Sequence, residues 1–475
     1  MWVAGTGLGK KFGMGFSRWP GMRVGVALMA GWLASANASG ETITLSLEQA
    51  IQRALETDPR ITERQHLVGS AQALLQEVQG NKDWKFDANT FLAISPGVEG
   101  SPFQGGGCTP GNCTLRSDKY ELQKNGLSPW FNLQLTLIKP LYTFGKVENY
   151  AAAAQSNVQV KEHDVRIQRA ATILDVKRAY YGYLAAQDGR RFLEDVRTRI
   201  AKAIDAAQKW LDEGENNIRQ ADIFALQAGH SLISRYISQA EGMQNVALAG
   251  LKVLSGLKAT DELALADEAL SPVALPEGGL PEFQQQALAQ RPEIFQVEAG
   301  LKARHALVEA RRADALPNLY AGVAGVLSYS PNRDRLDNPY IYDPFNESGL
   351  TPMIGLKWDW QRGVQRAKVA QEQAELNALI AKSALAQQGI PFQVAEQYYQ
   401  VQSEHAALQE LSEGSRQARR WMVGRYADFE AGLETADRVI SAFQGYVLTQ
   451  TDYIKTLYEY NIRVAQLQNV TGTEP

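Results

Sequence analysis

The chain has 475 residues, of which 45% are hydrophobic and 21% are charged, a balance typical of folded protein rather than of disorder. Its formal net charge is −4, and the first 38 residues carry basic side chains but no acidic ones, so a chain without them would be more acidic still. This charge argues against nucleic acid as a partner, because binding to nucleic acid needs a basic surface.

The first 38 residues have the composition of an export signal. Basic residues precede a short apolar run at residues 24–33, and Ala-Asn-Ala at 36–38 supplies the small residues of a cleavage site. No apolar run of about 18 residues follows, so the sequence predicts no transmembrane helix. An exported chain of this kind is expected to be either soluble or a β-barrel, since only helices and closed barrels satisfy their backbone polar groups inside a bilayer.

The remaining chain contains the same pattern twice, which predicts two structural repeats. One group of residues recurs 233 positions later: Leu47, Ala54, Leu55, Pro59 and Ile61 return as Leu280, Ala287, Leu288, Pro292 and Ile294. A second group recurs 218 positions later: Gly145, Tyr180, Tyr181 and Gly214 return as Gly363, Tyr398, Tyr399 and Gly432. We therefore expect a first repeat at residues 39–257, a linker at 258–279 and a second repeat at 280–475.

Each repeat is expected to begin with a helix and continue into strands. In the first repeat, helical spacing predicts a helix over residues 45–80, with a capping box formed by Ser46 and Gln49. Weak alternation predicts a strand at 87–95. A long loop rich in Gly, Pro and Ser follows at 96–129. It contains Cys108 and Cys113, for which an oxidising compartment favours a disulfide over a metal site with too few ligands.

Three further strands are predicted at residues 131–137, 319–329 and 354–360, with a second polar loop at 331–352. Their alternation resembles that of transmembrane barrel strands, with apolar side chains outward and polar ones inward. Aromatic residues lie at the strand ends, as in the aromatic belts of membrane proteins: Trp130, Tyr142, Trp358 and Trp360. The alternative is a soluble antiparallel sheet with one solvated face.

Very long helices follow the strands in both repeats. Residues 146–213 and 364–431 carry apolar side chains spaced by threes and fours, which predicts helices of about 100 Å at 1.5 Å per residue. Each helix turns at a glycine, Gly214 or Gly432, into a returning helix. Pro391 predicts a kink or a joint between two helical pieces. Helices of this length, packed as coiled coils, favour a membrane duct over a small soluble sheet.

Four strands cannot close a barrel, because even the smallest single-chain barrels use eight. An open sheet edge is not tolerated in lipid. If the strands cross a membrane, several chains must therefore combine them, with the loops on one side and the helices on the other.

The export signal, the Ala-Leu-x-x-x-Pro opening of each repeat, the Gly145 and Gly363 strand-to-helix junctions and the paired helical hairpins resemble the TolC-like outer-membrane efflux proteins. The resemblance implies an α+β membrane protein, a homotrimer whose twelve-stranded barrel is continuous with an α-helical tunnel. It implies a Gram-negative outer-membrane location and passive export of small molecules or secreted protein, with a periplasmic adaptor and an inner-membrane pump as partners. The alternative function is a periplasmic coiled-coil adaptor or scaffold without a pore.

The resemblance also assigns roles at the hairpin ends. Adaptor contacts in the family fall around the tips, which are here Leu211, Gly214, Phe429 and Gly432. The family tunnel narrows beyond the tips, and the charged residues in that position are Asp222, Glu434, Asp437 and Arg438. These side chains are either solvated turn residues or part of a cation-selective mouth.

The strand alternation divides the expected barrel wall into two sets. Residues expected to face the lumen are Asn132, Gln134, Thr136, Lys357 and Asp359. Residues expected to face lipid or neighbouring packing are Leu133, Leu135, Leu137, Ile354, Leu356, Trp358 and Trp360. No catalytic motif, cofactor site or metal site is evident in the sequence, so we expect a protein that is not an enzyme.

Overall fold

The computed structural model describes residues 42–97, 110–111, 114, 127–214, 218–333 and 342–473. The expected export signal and the cysteine pair Cys108 and Cys113 lie outside the described residues. The cleavage and the disulfide therefore stay predictions.

The described helices and strands follow one order twice, with closely matched lengths. The chain begins with β1 (Ile43–Leu45), α1 (Leu47–Thr57), α2 (Pro59–Gly80), β2 (Lys85–Pro96), β3 (Leu127–Tyr142), α3 (Lys146–Asp212) and α4 (Gln220–Leu254). It continues with β4 (Leu263–Leu265), α5 (Leu280–Gln290), α6 (Pro292–Ala313), β5 (Asn318–Tyr329), β6 (Ser348–Lys357), α7 (Arg362–Glu430) and α8 (Ala436–Thr471). The long helices α3 and α7 have 67 and 69 residues, and the helices that return from them have 35 and 36.

The first predicted helix is two helices rather than one. The capping box at its start is confirmed, since the Gln49 amide donates to Ser46 Oγ and the Ser46 amide donates to Gln49 Oε1. The break falls at Asp58, whose extended backbone ends α1 and caps α2, with Pro59 in the first turn of α2. Proline is tolerated there because the amides of the first turn have no partner within the helix. Arg291 and Pro292 form the equivalent junction between α5 and α6.

Both junctions are held by ion pairs of opposite polarity. In the first, buried Asp58 accepts from Arg60 at 2.8 Å and from Thr172 of α3 at 2.7 Å. In the second, buried Arg291 donates to Glu293 at 2.9 Å and to Gln393 of α7 at 2.8 Å. Each junction thus fixes its short helices to the long helix of the same series of elements: α1 and α2 to α3, and α5 and α6 to α7.

The long helices build the body of the protein. The predicted seam of α3 is buried at Leu193, Val196, Ile200 and Ala207, where it packs against α4 and α8. At 1.5 Å per residue, α3 is about 100 Å long. No helix among the described residues has both the length and the apolar character needed to cross a membrane.

Of the two alternatives predicted at Pro391, the joint between two helical pieces is wrong, because α7 continues through it as one helix, and the kink stays a prediction. Proline removes one backbone donor from the helix. The side-chain amide of Gln284 on α5 donates to the Pro391 carbonyl at 3.1 Å, so α5 packs directly against this part of α7.

Four strands form one antiparallel sheet in the order β2-β3-β5-β6. All three neighbouring pairs are antiparallel, and the first and last strands each have one edge without a partner strand within the described part of the chain. Both loops leave the sheet at one end, and α2, α3, α6 and α7 join it at the other. We call these the loop end and the helix end.

The segment expected to be a plain linker is a structured strap. Its strand β4 pairs in parallel with β1. Further on, the buried Asn461 of α8 accepts from the Val273 amide at 3.0 Å and donates to the Ser271 carbonyl at 2.8 Å. The Leu270 amide donates to Asp188 of α3 at 2.8 Å. The strap therefore ties α3 of the first series to α8 of the second.

We predict that Asn461→Ala weakens this tie. The substitution removes two hydrogen bonds to strap backbone groups, which costs about 1–3 kcal/mol where the freed groups stay shielded from water. The chemical-denaturation midpoint of the purified protein measures the loss. Asn245→Ala, at an exposed site on α4, is the matched control and should leave the midpoint unchanged. Equal midpoints for the Asn461 variant and the wild-type protein would contradict the assigned role of the strap.

Candidate functional site

The register of the sheet sorts its side chains onto two faces. Directly opposed residues of antiparallel strands point to the same face, and successive residues alternate. Asn132, Gln134 and Thr136 oppose Ser328, Val326 and Ala324, and Lys357 opposes Asn318 on the same side. We call this the polar face. The structure brings together four of the five residues expected to face a lumen.

The other side, which we call the apolar face, carries apolar side chains from all four strands. Leu133, Leu135 and Leu137 of β3 oppose Leu327, Gly325 and Val323 of β5, while Ile354 and Leu356 of β6 oppose Ala321 and Leu319. Strand β2 adds Phe86, Leu92 and Ile94 through its pairing with Leu137, Phe131 and Pro129. The five strand residues expected to face lipid therefore share one surface.

This apolar face is uncovered in the single chain. Six large side chains on its outer two strands are each at least 65% exposed: Phe86, Leu92, Ile94, Leu350, Ile354 and Leu356. Apolar surface of this extent, uncovered by the protein itself, marks a contact with lipid or with another protein.

The last strand ends earlier than the sequence predicts. Strand β6 stops at Lys357, so Trp358, Asp359 and Trp360 lie in the connection to α7. The two Trp rings are 4.8 Å apart and largely exposed, and the Trp358 indole donates to the Ala315 carbonyl at 3.0 Å. The strand ladder ends at Lys357, and the indole hydrogen bond holds the connection against the residues that follow α6.

Exposed aromatic residues gather at the helix end of the sheet. They are Trp84, Tyr142, Phe144, Trp358 and Trp360. Trp130, expected to lie in an aromatic belt at a strand end, lies near the loop end and on the polar face, where its indole donates to Ser328 Oγ at 2.7 Å. The remaining group has the composition of an interfacial aromatic belt.

The hairpin tips are built on glycines in the left-handed conformation. Gly214 has φ 78° and Gly432 has φ 73°, values that other residues rarely adopt. Of the expected docking residues, Leu211 is half-buried, and Phe429 is fully buried with its ring 5.0 Å from Trp210. Phe429 therefore packs the first hairpin against the second. The exposed apolar side chain at the second tip is Leu433, 80% exposed, which its position directly after Gly432 could have indicated.

Three of the four expected aperture residues, Asp222, Glu434 and Arg438, have an ion-pair partner within their own hairpin. Asp222 is buried in the first turn of α4, accepts from the Arg219 amide at 2.9 Å and pairs with the Arg219 guanidinium at 3.1 Å. The Arg219 side chain holds the pKa of Asp222 below its ordinary value. Asp222 thus closes the N-terminus of its helix.

Glu434 is held in the same way at the second tip. Its nearly buried carboxylate lies between Arg425, to which it is hydrogen-bonded, and Arg438 at 3.5 Å. A hydrogen bond from the Thr435 amide, with the charges of Arg438 and Arg425, lowers the pKa of Glu434. Asp437 and Arg438 are the exposed pair of the four. No cluster of three or more potential metal ligands occurs in the described ranges.

Comparison with known proteins supports the expected resemblance. Residues 284–473 match the family described as outer membrane efflux protein. A relative described as the probable outer membrane lipoprotein SilC of Salmonella typhimurium is 25% identical over 213 residues, which are 44% of this chain and 43% of SilC. The match thus spans less than half the length of that relative.

Solved structures match the fold over nearly the whole chain. The outer-membrane channel OprN superimposes with a TM-score of 0.72 at 16% identity, covering 90% of this chain and 89% of its own. The Campylobacter jejuni CmeC outer membrane channel gives 0.72 at 14% identity, covering 95% and 94%. At such identities the likeness establishes the fold. Residues 284–473 thus match the outer membrane efflux protein family, and the chain shares the fold of these outer-membrane channels, as its resemblance to the TolC-like proteins implied.

Proposed function

We propose that three copies of this chain form an outer-membrane exit duct, a passive conduit that carries substrate outward from a periplasmic adaptor and an inner-membrane pump. The observation that supports the proposal most strongly is the sheet, which within the described residues is open at β2 and β6 and is apolar on one face. Lipid covers such a face favourably, but it cannot satisfy the free backbone groups of the two edge strands.

Closure between copies resolves this conflict. When β6 of one copy pairs with β2 of the next, every backbone edge is satisfied and the apolar faces form a continuous outer surface. Three copies give twelve strands, an even number within the range of outer-membrane barrels. The polar faces then line the interior. The two series of elements in each chain derive, in this proposal, from a duplication.

The helices supply the periplasmic part of the duct. All of the long helices leave the sheet at the helix end, opposite to both loops, so they extend about 100 Å from one side of the barrel. A soluble adaptor would have the same helical hairpins, but an exposed apolar sheet face would be unfavourable for it in water. Extraction separates the two functions. A duct leaves the outer membrane only with detergent, and the detergent-purified protein should conduct ions in planar bilayers.

The tips are the proposed docking end. Leu211, Gly214, Gly432 and the exposed Leu433 surround it, with Phe429 supporting the hairpins from behind. We assign Asp437 and Arg438 to the rim of the aperture, because their side chains are exposed, although Arg438 also pairs with Glu434, whereas the carboxylates of Asp222 and Glu434 are enclosed by their own hairpins.

The first prediction concerns the two faces of β3. Leu135→Arg places a charge on the apolar face near the middle of the sheet and should reduce assembly, at a cost of roughly 2–4 kcal/mol if the site is mid-bilayer. Gln134→Arg, one residue away on the polar face, is the matched control and should assemble normally. The measurement is the yield of trimer in outer-membrane fractions. Equal yields for the two variants would count against the assignment of the faces.

The second prediction concerns adaptor docking. Gly432→Lys adds a bulky charge at the tip, where a new side chain meets open space but the left-handed backbone is strained; the strain is confined to the tip turn, so the trimer should persist while adaptor binding is lost. Gly432→Asn is the control, since asparagine tolerates the left-handed backbone better than most residues and brings no charge. The readout is cross-linking to the adaptor, with trimer content measured in parallel. Adaptor binding that survives Gly432→Lys would argue that docking occurs elsewhere.

The third prediction follows from the lowered pKa of Glu434. A carboxylate with a depressed folded-state pKa stabilises the fold above its ordinary range, near 4.5, and loses that effect as the pH falls through the folded value. Hydrogen exchange at residues 428–438, corrected for the intrinsic rate, should therefore quicken in acid. In Glu434→Gln it should already be fast at neutral pH, without the acid step. Asp452→Asn, exposed on α8, should behave like the wild-type protein. An unchanged acid step in Glu434→Gln would refute the role of this carboxylate.

A further inference from the structure

We propose that the described residues of the loop between β5 and β6 fold into the duct and form an outer constriction that limits the size of solutes able to pass. The inference rests on the proposed function in taking the polar face as the duct interior and three copies as the duct wall. It concerns the described loop residues 342–347, which we call the folded loop, together with their contacts at the loop end of the sheet.

The folded loop lies on the polar face and not beside it. The Phe345 ring is 4.8 Å from the ring of Trp130, which in turn is 4.9 Å from Phe91. Ser328 Oγ donates to the Pro344 carbonyl at 2.6 Å. The register places Phe91, Trp130 and Ser328 on the same side as Asn132. The loop therefore covers the side that we assign to the lumen.

Burial at the loop end differs sharply between the two faces. On the polar face Ser128, Ser328 and Asn132 are at most 4% exposed, whereas on the apolar face Leu92 and Ile94, in the rows between them, are 79% and 66% exposed. Farther toward the helix end, Gln134 on the polar face is exposed again. The cover is thus confined to one face and to one end.

A buried ion pair holds the loop in place. Arg333 Nε lies 3.1 Å from Asp343, and the two side chains are only 9% and 5% exposed. The same guanidinium donates to the Pro96 carbonyl of β2 at 3.2 Å and lies 4.6 Å from the Phe345 ring. Removing one partner of such a buried ion pair is costly, since the remaining buried charge is left without a partner. The loop is therefore fixed to the sheet, not resting on it.

Hydrogen bonds among small polar residues anchor the start of the loop. Ser330 Oγ lies 2.7 Å from Ser95 Oγ and 2.9 Å from Ser128 Oγ, and all three serines are buried. Asn346 accepts from the Ser330 amide at 3.0 Å and donates to the Arg333 carbonyl at 3.0 Å. These contacts join the loop to β2 and β3 as well as to its own strand.

The size of the duct makes one such loop per copy effective. Eight-stranded barrels are filled by their side chains, and barrels of about sixteen strands leave an aqueous channel. Twelve strands lie between, so three folded loops projecting inward from the wall narrow the opening, with aromatic rings and an ion pair at its rim. The constriction lies at the end opposite to the adaptor, and it acts on solutes by size.

The test measures access from outside the cell to a thiol placed below the loop. Gln134→Cys is introduced on the polar face, in a chain whose two cysteines are replaced by serine, and intact cells are treated with a small maleimide or with one carrying a large polyethylene glycol. We expect the small reagent to react and the large one to be excluded. Adding Asp343→Asn or Phe345→Ala should raise the ratio of large-reagent to small-reagent labelling roughly tenfold. This corresponds to a change of about 1.4 kcal/mol in the equilibrium between the folded and the displaced loop.

The ratio makes the result independent of how much protein reaches the membrane. Leu135→Cys, on the apolar face, is the control and should react with neither reagent. Large-reagent labelling that already equals small-reagent labelling before the loop is altered would overturn the constriction. So would a ratio that neither loop substitution raises. Labelling at Leu135 but not at Gln134 would instead overturn the assignment of the faces, and thus the proposed function itself.

Discussion

The structure depends on the unpaired backbone N–H and C=O groups at the two edges of its described sheet. Within the described chain, β2 and β6 each present a row of free backbone groups, and the face between them is apolar and uncovered. Water would satisfy the edges but not the face, and lipid would satisfy the face but not the edges. In the proposed duct, pairing with further copies satisfies both, and the sheet of one chain is a segment of a larger wall.

The helices and the sheet are one mechanical unit because α3 runs without interruption from the sheet to the hairpin tip. Along its length it meets α2 and α6 near the sheet, the strap at mid-length, and α4 and α8 near the tip. The strap connects α3 to α8 through Asn461, and the Trp210–Phe429 contact joins the two hairpins at their ends. A force applied to the tips therefore reaches both series of elements together.

Much of the architecture could be predicted from the sequence, because it follows from periodicity. Alternation in residues 131–137 located β3 and its two faces, and the spacing of Leu193, Val196 and Ile200 located the seam of α3. The junction at Asp58 was missed because proline in a first helical turn interrupts no apolar pattern. The pairing of β1 with β4 was missed because three residues are too few to show a period.

The details of the candidate site were less predictable, because they arise from contacts between distant residues. Arg425 and Arg438 clamp Glu434 only after the hairpin has formed, and Asp343 meets Arg333 only after the loop has folded back. Phe429 resembles an exposed tip residue in sequence but is buried by Trp210 from the other hairpin. Trp130 could have been placed correctly, since it shares the parity of Asn132, but its position at a strand end suggested a belt instead.

The most direct test of the account is the native mass of the protein extracted from outer membranes. If the edges of the sheet are completed by other copies, native mass spectrometry in detergent should show three chains and no stable single chain. A protein that leaves the membrane fraction without detergent and remains monomeric would contradict the account, since its sheet edges and greasy face would then be stable in water.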